Sequence, residues 1–175
     1  MDIIGCITAD HDEVSELFDE LARLAQDDSR TSDAMRIAVR LAVALKIHTH
    51  AEERVVYRAM NGADLRLAAF AREGHYEHGA IDMLIDRLLS QRPGAELFAI
   101  LKVARDQFDH HARDEEERLI LPLLAAQLTP TEGLSLAHDF LAERRRIRPS
   151  IERLVGPAAR GTHDGRGFHI SHHRR

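Results

Sequence analysis

Apolar residues recur along this chain with the period of an α-helix in four stretches, each closed by residues that cap or break helices. The first, about residues 3–25, carries the stripe Ile7, His11, Val14, Phe18, Leu21, Ala25 in alternating steps of four and three. A polar run, Asp27 to Asp33, predicts a loop with a helix cap. The second stretch, about 34–60, reads Ala34, Ala38, Leu41, Leu45, His48, Glu52, Val55, Ala59 and is predicted to stop at Asn61-Gly62. The third starts after Asp64, a good N-cap, and carries Leu67, Ala71, Gly74, His78, Ile81, Ile85, Leu88 before Pro93-Gly94. The fourth, about 95–127, presents Leu97, Leu101, Ala104, Phe108, His111 and Glu115 inward, with Pro122 expected to kink or end it.

Four long amphipathic helices with short links predict an all-α, up-down-up-down antiparallel four-helix bundle over residues 1–128. Thr129-Pro130-Thr131-Glu132 has the form of a capping box with proline at the first helical position. It opens an extra C-terminal helix, expected within 129–155, with its basic run Arg144 to Arg148 ending before Pro149. Residues 156–175 are rich in His, Arg and Gly with little to bury, and are expected to form a flexible tail.

The informative positions are those that break the apolar stripes. His11, His48, Glu52, His78, His111 and Glu115 sit where a bundle core belongs, on four different helices. Ionisable groups there are costly unless paired or ligated. A lone inward histidine is more often hydrogen-bonded core filler, and a lone His–Glu pair four residues apart is usually a solvated surface pair. Six such residues converging together point instead to a metal site. His48 with Glu52, and His111 with Glu115, each place an imidazole and a carboxylate just over one turn apart on one face.

Phase separates neighbours as well. The stripe through His110 and Asp114 is half polar, so these two belong to the flank, and His50 should face solvent. His75 lies three residues before His78 at the stripe's edge and remains a candidate ligand.

Composition narrows the chemistry. Twelve histidines among 175 residues is the abnormal count, and it strengthens the metal reading. A single cysteine, Cys6, excludes an internal disulfide framework and fits a reducing, cytoplasmic setting. The net charge of −5 gives no reason to expect nucleic acid. No apolar run is long enough for a membrane span, and the first residues do not read as a signal peptide. Six or seven N and O donors without thiolate exceed the needs of one zinc and favour two iron ions, with manganese or zinc as the other metals this set would take. No histidine has a glutamate three residues before it, as ferritin-like di-iron sites require, and the zinc-protease signature is absent.

Asp10-His11, His48-x-x-x-Glu52-Glu53, His78 and His111-x-x-x-Glu115-Glu116, in this order over about residues 5–125, resemble the hemerythrin-like family of HHE cation-binding domains. The resemblance implies a four-helix bundle enclosing a non-haem di-iron centre, oxo- or hydroxo-bridged. It implies that Glu52 and Glu115 bridge the irons, that His11 and His48 bind one, and that His78 and His111 bind the other. His75 would be the fifth imidazole of oxygen-carrying members, although those space that pair by four residues.

The function expected is binding or turnover of O2, peroxide or nitric oxide, as carrier, sensor or detoxifier in oxidative or nitrosative stress. The alternative is an iron-responsive regulatory or metal-handling module acting through a protein partner. A third is a bundle that has lost its metal. Without cations, Glu52 and Glu115 are expected to repel across the core and raise carboxylate pKa values.

Overall fold

The computed structural model describes residues 1–158; of the expected tail, all but its first three residues lie outside them. Among the described residues there are five long helices and no strand. Helix α1 spans Ile3–Leu24, α2 Thr31–Ala63 and α3 Leu65–Leu89. A continuous helical rod follows in three parts: α4 at Ala95–Asp109, a π-helical stretch at His110–Ile120, and α5 at Leu121–Ala125. Helix α6 runs Pro130–Ala158. Helices α1 to α3 and the rod pack in sequence and close as a four-helix bundle, while α6 packs along α2 and α1.

Local chemistry accounts for most boundaries. The Asp2 side chain accepts from Gly5 N–H at 3.0 Å to start α1. Asp27 caps a single 3₁₀ turn, Asp28–Arg30, that leads into α2. The predicted stop at Asn61-Gly62 does not occur, because α2 continues to Ala63 and the whole turn is the one residue Asp64. Its carboxylate accepts from Arg66 and Leu67 N–H, both at 2.8 Å, so α3 starts without a loop. Gly94 precedes α4 with φ +148°, a left-handed backbone that glycine adopts without strain. The capping box forms as expected: Thr129 N–H donates to Glu132 Oε2 at 2.8 Å, and Glu132 N–H returns to Thr129 Oγ1.

Two boundaries differ from expectation for tertiary reasons. Helix α6 passes through Pro149, because Ile147 and Val155 on either side are buried and Ile151 packs against the core. Burial of that face outweighs the hydrogen bond that proline forfeits. In the fourth segment the helix continues past Pro122, and the change comes before it, as π-turns. An α-helical Pro122 would crowd the carbonyl of Arg118 four residues back. The wider turns avoid that geometry, and Leu121 N–H donates to Glu116 O, five residues back.

The core is split. One apolar cluster is built around Phe18, Leu41, Ile85, Leu101 and Phe108, and a second around Ile3, Ile7, Met60, Leu67, Leu121 and Phe140. Each fully buried side chain of this size contributes about 1.5–3 kcal/mol. Between the two clusters lies a buried layer of His and Glu side chains.

Candidate metal centre

Each helix of the bundle delivers its polar residues to this layer by simple phase. On α1, His11 follows Ile7 and precedes Val14, both fully buried, and is itself completely buried. On α2, His48 and Glu52 are stacked one turn apart with Nε2 3.3 Å from Oε2. On α3, His78 continues the stripe of Ala71 and Gly74, and on the rod His111 follows Phe108. His78 Nε2 lies 2.9 Å from His111 Nε2. Phe108 and Phe140 stand edge-on to His11 and His48, which keeps the layer apolar above and below.

The second carboxylate is Glu116, where Glu115 was expected. Glu116 is 1% exposed, and its Oε2 is 3.2 Å from His11 Nε2 and 3.5 Å from His111 Nε2. The cause is the π-helix. With five-residue hydrogen bonding, the residue five positions after His111 returns to its face, whereas a regular helix would return the fourth. The Glu115 side chain is 24% exposed, lies 3.2 Å from His110 and shares a hydrogen bond with Glu77. Burial, and then Glu77 beside it, push its carboxyl up. The legible signals were Pro122 late in the helix and the doubled acid Glu115-Glu116.

The His75 side chain also stands outside the layer, 65% exposed, with Nδ1 3.1 Å from Glu53 Oε2. The inward position four residues before His78 is Gly74. The absence of a side chain there makes room for Tyr57, since a Cβ at Gly74 would overlap the phenol oxygen. Tyr57 stacks on the His78 ring at 14° and places its hydroxyl 3.3 Å from both His78 Nε2 and Glu116 Oε1. Gly74→Ala is therefore expected to destabilise the fold by about 1–3 kcal/mol, the usual cost of overpacking. Denaturant unfolding should show that cost shrinking when Tyr57→Phe removes the oxygen nearest the new methyl. His110 and Asp114 are exposed, as phase predicted, and His50 is partly exposed, near Glu143.

A ring of outer carboxylates, missed by hydrophobic patterning because it lies at the core's edge, fixes the imidazoles. His11 Nδ1 is 2.9 Å from Glu117, His48 Nδ1 3.4 Å from Asp10, His78 Nδ1 3.1 Å from Glu53 and His111 Nδ1 2.7 Å from Glu77. With every Nδ1 occupied outward, every Nε2 is directed inward. This is the arrangement in which a carboxylate orients a metal-binding imidazole and raises its basicity. Each outer carboxylate has a further neighbour: Arg113 at Glu117, Arg144 at Asp10, His75 at Glu53 and Glu115 at Glu77.

Inside the ring, His11 Nε2, His48 Nε2, both oxygens of Glu52 and Glu116 Oε2 are buried without a hydrogen-bond partner. Such groups cost free energy unless something satisfies them. One N or O atom from each of His11, His48 and Glu116 lies within 4.8 Å of the others, and the same holds for Glu52, His78 and His111. The donor set fits one or more cations held in this layer.

The metal-free core copes by protonation. Burial works against charge on His48, but the Glu52 carboxylate 3.3 Å away and the hydrogen bond to Asp10 push it up to about 10. His111 is pushed up to about 9, against burial, by Glu116 and Glu77. Glu116 is held well below the usual carboxylate range despite burial, because His111, His11 and His48 surround it. Of the carboxylates expected to rise, Glu115 does so, through burial and Glu77, whereas at Glu116 the surrounding imidazoles lower the carboxyl. His48 and His111 titrate near 6.5 when unfolded. Their stabilisation is therefore complete below pH about 6.5 and lost as pH rises through about 9–10. Glu116 contributes above pH about 4.5 and loses that contribution in acid. Chelated protein should be most stable in mildly acidic solution and its unfolding midpoint should fall from pH about 6.5 towards about 10. A flat profile over that window would remove the imidazolium–carboxylate account.

No helix among the described residues is long and apolar enough to cross a membrane. No curated protein and no solved structure matches the chain significantly. The family model described as the hemerythrin HHE cation-binding domain matches residues 2–124, which takes in all four bundle helices and every residue of the buried His/Glu layer. With the two buried clusters and a third, half-buried one formed by Glu77, His111 and Glu115, that match points to a metal-binding domain. The chain belongs to the hemerythrin HHE cation-binding family.

Proposed function

We propose that the buried layer holds two iron ions and that the protein binds or turns over a small oxidant or diatomic: O2, peroxide or nitric oxide. The observation that carries this reading is the set of five unpartnered N and O atoms facing one another inside a ring of imidazole-orienting carboxylates. His11 and His48 would hold one ion and His78 and His111 the other. Glu52 would bridge, since its Oε2 lies 3.3 Å from His48 and 3.6 Å from His78. Glu116 would bridge in the same way between His11 and His111. Bound iron would supply one-electron chemistry towards the small ligand.

The chain's own residues set access to the layer. A surface pocket of about 270 Å³ is lined by Glu53, Tyr57, Asn61, Arg72, His75 and Tyr76. Tyr57 belongs both to this pocket and to the donor layer, so its phenol separates the centre from solvent. Burial, and then the charges of Glu116 and Glu52, push that phenol well above its ordinary value, so it stays protonated at neutral pH and donates a hydrogen bond to Glu116. The apolar clusters on either side leave room only for small molecules.

Iron-loaded protein is expected to consume peroxide, nitric oxide or O2 with a change in its optical spectrum. His111→Ala should lose iron and the response together, while His110→Ala should keep both. Equal iron and equal turnover in the two variants would overturn the reading. A metal-occupancy switch acting through a partner is the second reading, and the contact of α6 with the centre favours it.

A further inference from the structure

The layer of donors is not made by the bundle alone. Helix α6, which lies beyond the family-matched segment, sends two side chains to it. Phe140 is fully buried and stands edge-on to the His48 ring, with centroids 6.3 Å apart. One turn later Arg144 lies over Phe140 and places Nη1 2.8 Å from Asp10 Oδ1. The other Asp10 oxygen, Oδ2, faces His48 Nδ1 at 3.4 Å. Asp10 is 4% exposed, so its charge has few neighbours to share it with. Among the described residues, Glu13 is the only other acid that Arg144 approaches, at 3.8 Å and exposed.

We propose that α6 is a working part of the metal centre, with Arg144 a positioning residue that acts on His48 through Asp10, so that metal occupancy and the docking of α6 are coupled. This rests on the metal-centre reading of the buried layer. The physical steps are short. Asp10 holds Oδ2 towards His48 Nδ1, which directs Nε2 towards a cation. Arg144 neutralises the buried carboxylate and fixes its rotamer. Without Arg144, the buried Asp10 carboxylate loses the partner that fixes its rotamer and turns away, and His48 loses its orientation. Losing such an outer partner weakens metal binding about 10–100-fold. Linkage is reciprocal, so a metal held tightly through His48 must tighten α6 by the same factor. No other described cation reaches a buried carboxylate of the donor ring from outside the bundle; Arg113, which serves Glu117, belongs to the rod itself.

The test uses the full chain with Co²⁺ as probe, titrated against a competing chelator. Wild type is compared with Arg144→Met, Arg144→Lys and Arg148→Met, the last an exposed control on the same helix. Arg144→Met is expected to weaken Co²⁺ binding at least tenfold, Arg144→Lys to restore part of it, and Arg148→Met to match wild type. The Co²⁺ protein should show slowly exchanging, paramagnetically shifted ring N–H protons, and the one from His48 should be lost in Arg144→Met and in Asp10→Asn. Amide exchange in the part of α6 around Phe140 and Arg144 should slow on Co²⁺ binding in wild type but not in Arg144→Met. Equal affinity and unchanged α6 exchange, in a wild type that binds Co²⁺, would overturn the coupling while leaving the metal centre standing. A wild type that takes up no Co²⁺ would overturn both. Should Arg144→Met fail to fold, Arg144→Lys and the wild-type exchange measurement decide the matter.

Discussion

Loading the buried layer with iron is expected to raise the thermal unfolding midpoint by about 5–10 °C over the chelated protein, at free metal one hundred times the dissociation constant. A ligand that binds only the native state adds about 2.7 kcal/mol under that condition. For a chain of this size each kcal/mol moves the midpoint by about 2–4 °C. A second ion adds its own increment. The shift should grow from pH about 6.5 towards 9. At the acid end the metal-free core is held by protonated His48 and His111 against Glu52 and Glu116, and the cation must displace those protons. Towards the alkaline end those protons are leaving, and the cation increasingly takes over neutralisation of the carboxylates. Calorimetry of chelated and reconstituted protein at both pH values measures this. Equal midpoints at saturating metal would mean that the layer is not a native site.

The bundle was legible because its apolar stripes are long and unbroken except at the centre. The stripes through His11, His48 and Glu52, and His78 depend on α-helical phase alone, and the structure brings these residues together. Phase also separated His111 from His110. Glu115 was assigned by the same arithmetic; the structure buries Glu116 on that face and leaves Glu115 half-buried beside Glu77 and His111, since a π-helix alters the count within this segment. Hydrophobic periodicity cannot register such a change when the affected residues are nearly all polar. The outer carboxylates Glu53, Glu77 and Glu117 lie half in and half out of the core, where a stripe carries no signal, and Asp10, though buried, falls beside the His11 stripe rather than on it. Gly74 was read as part of an apolar stripe, but its role depends on Tyr57 of another helix, which no local pattern reveals.

Glu116→Gln is expected to have the largest effect of any single carboxylate change, and Glu115→Gln almost none. Glu116 Oε2 faces an imidazole of each proposed pair, so an amide there removes the charge that would lie between the two ions. Loss of an outer partner alone weakens binding about 10–100-fold, and loss of a bridging donor should exceed that. Glu115 touches Glu77 and His110, both beyond the donor layer, so its variant should keep its metal. Competition titrations of the two variants against one chelator give the comparison directly. Metal lost from Glu115→Gln and retained by Glu116→Gln would return the site to regular helical phase and contradict the structure.

The central claim is that the buried layer takes up two ions as one coupled centre. Anaerobic titration of the metal-free protein with ferrous iron, followed by admission of air, tests it most directly. Uptake is expected to saturate at two irons per chain, followed by the charge-transfer absorption of a coupled diferric pair, with both features absent in Glu116→Gln. Saturation at one iron, or two irons with no coupled absorption, would contradict it.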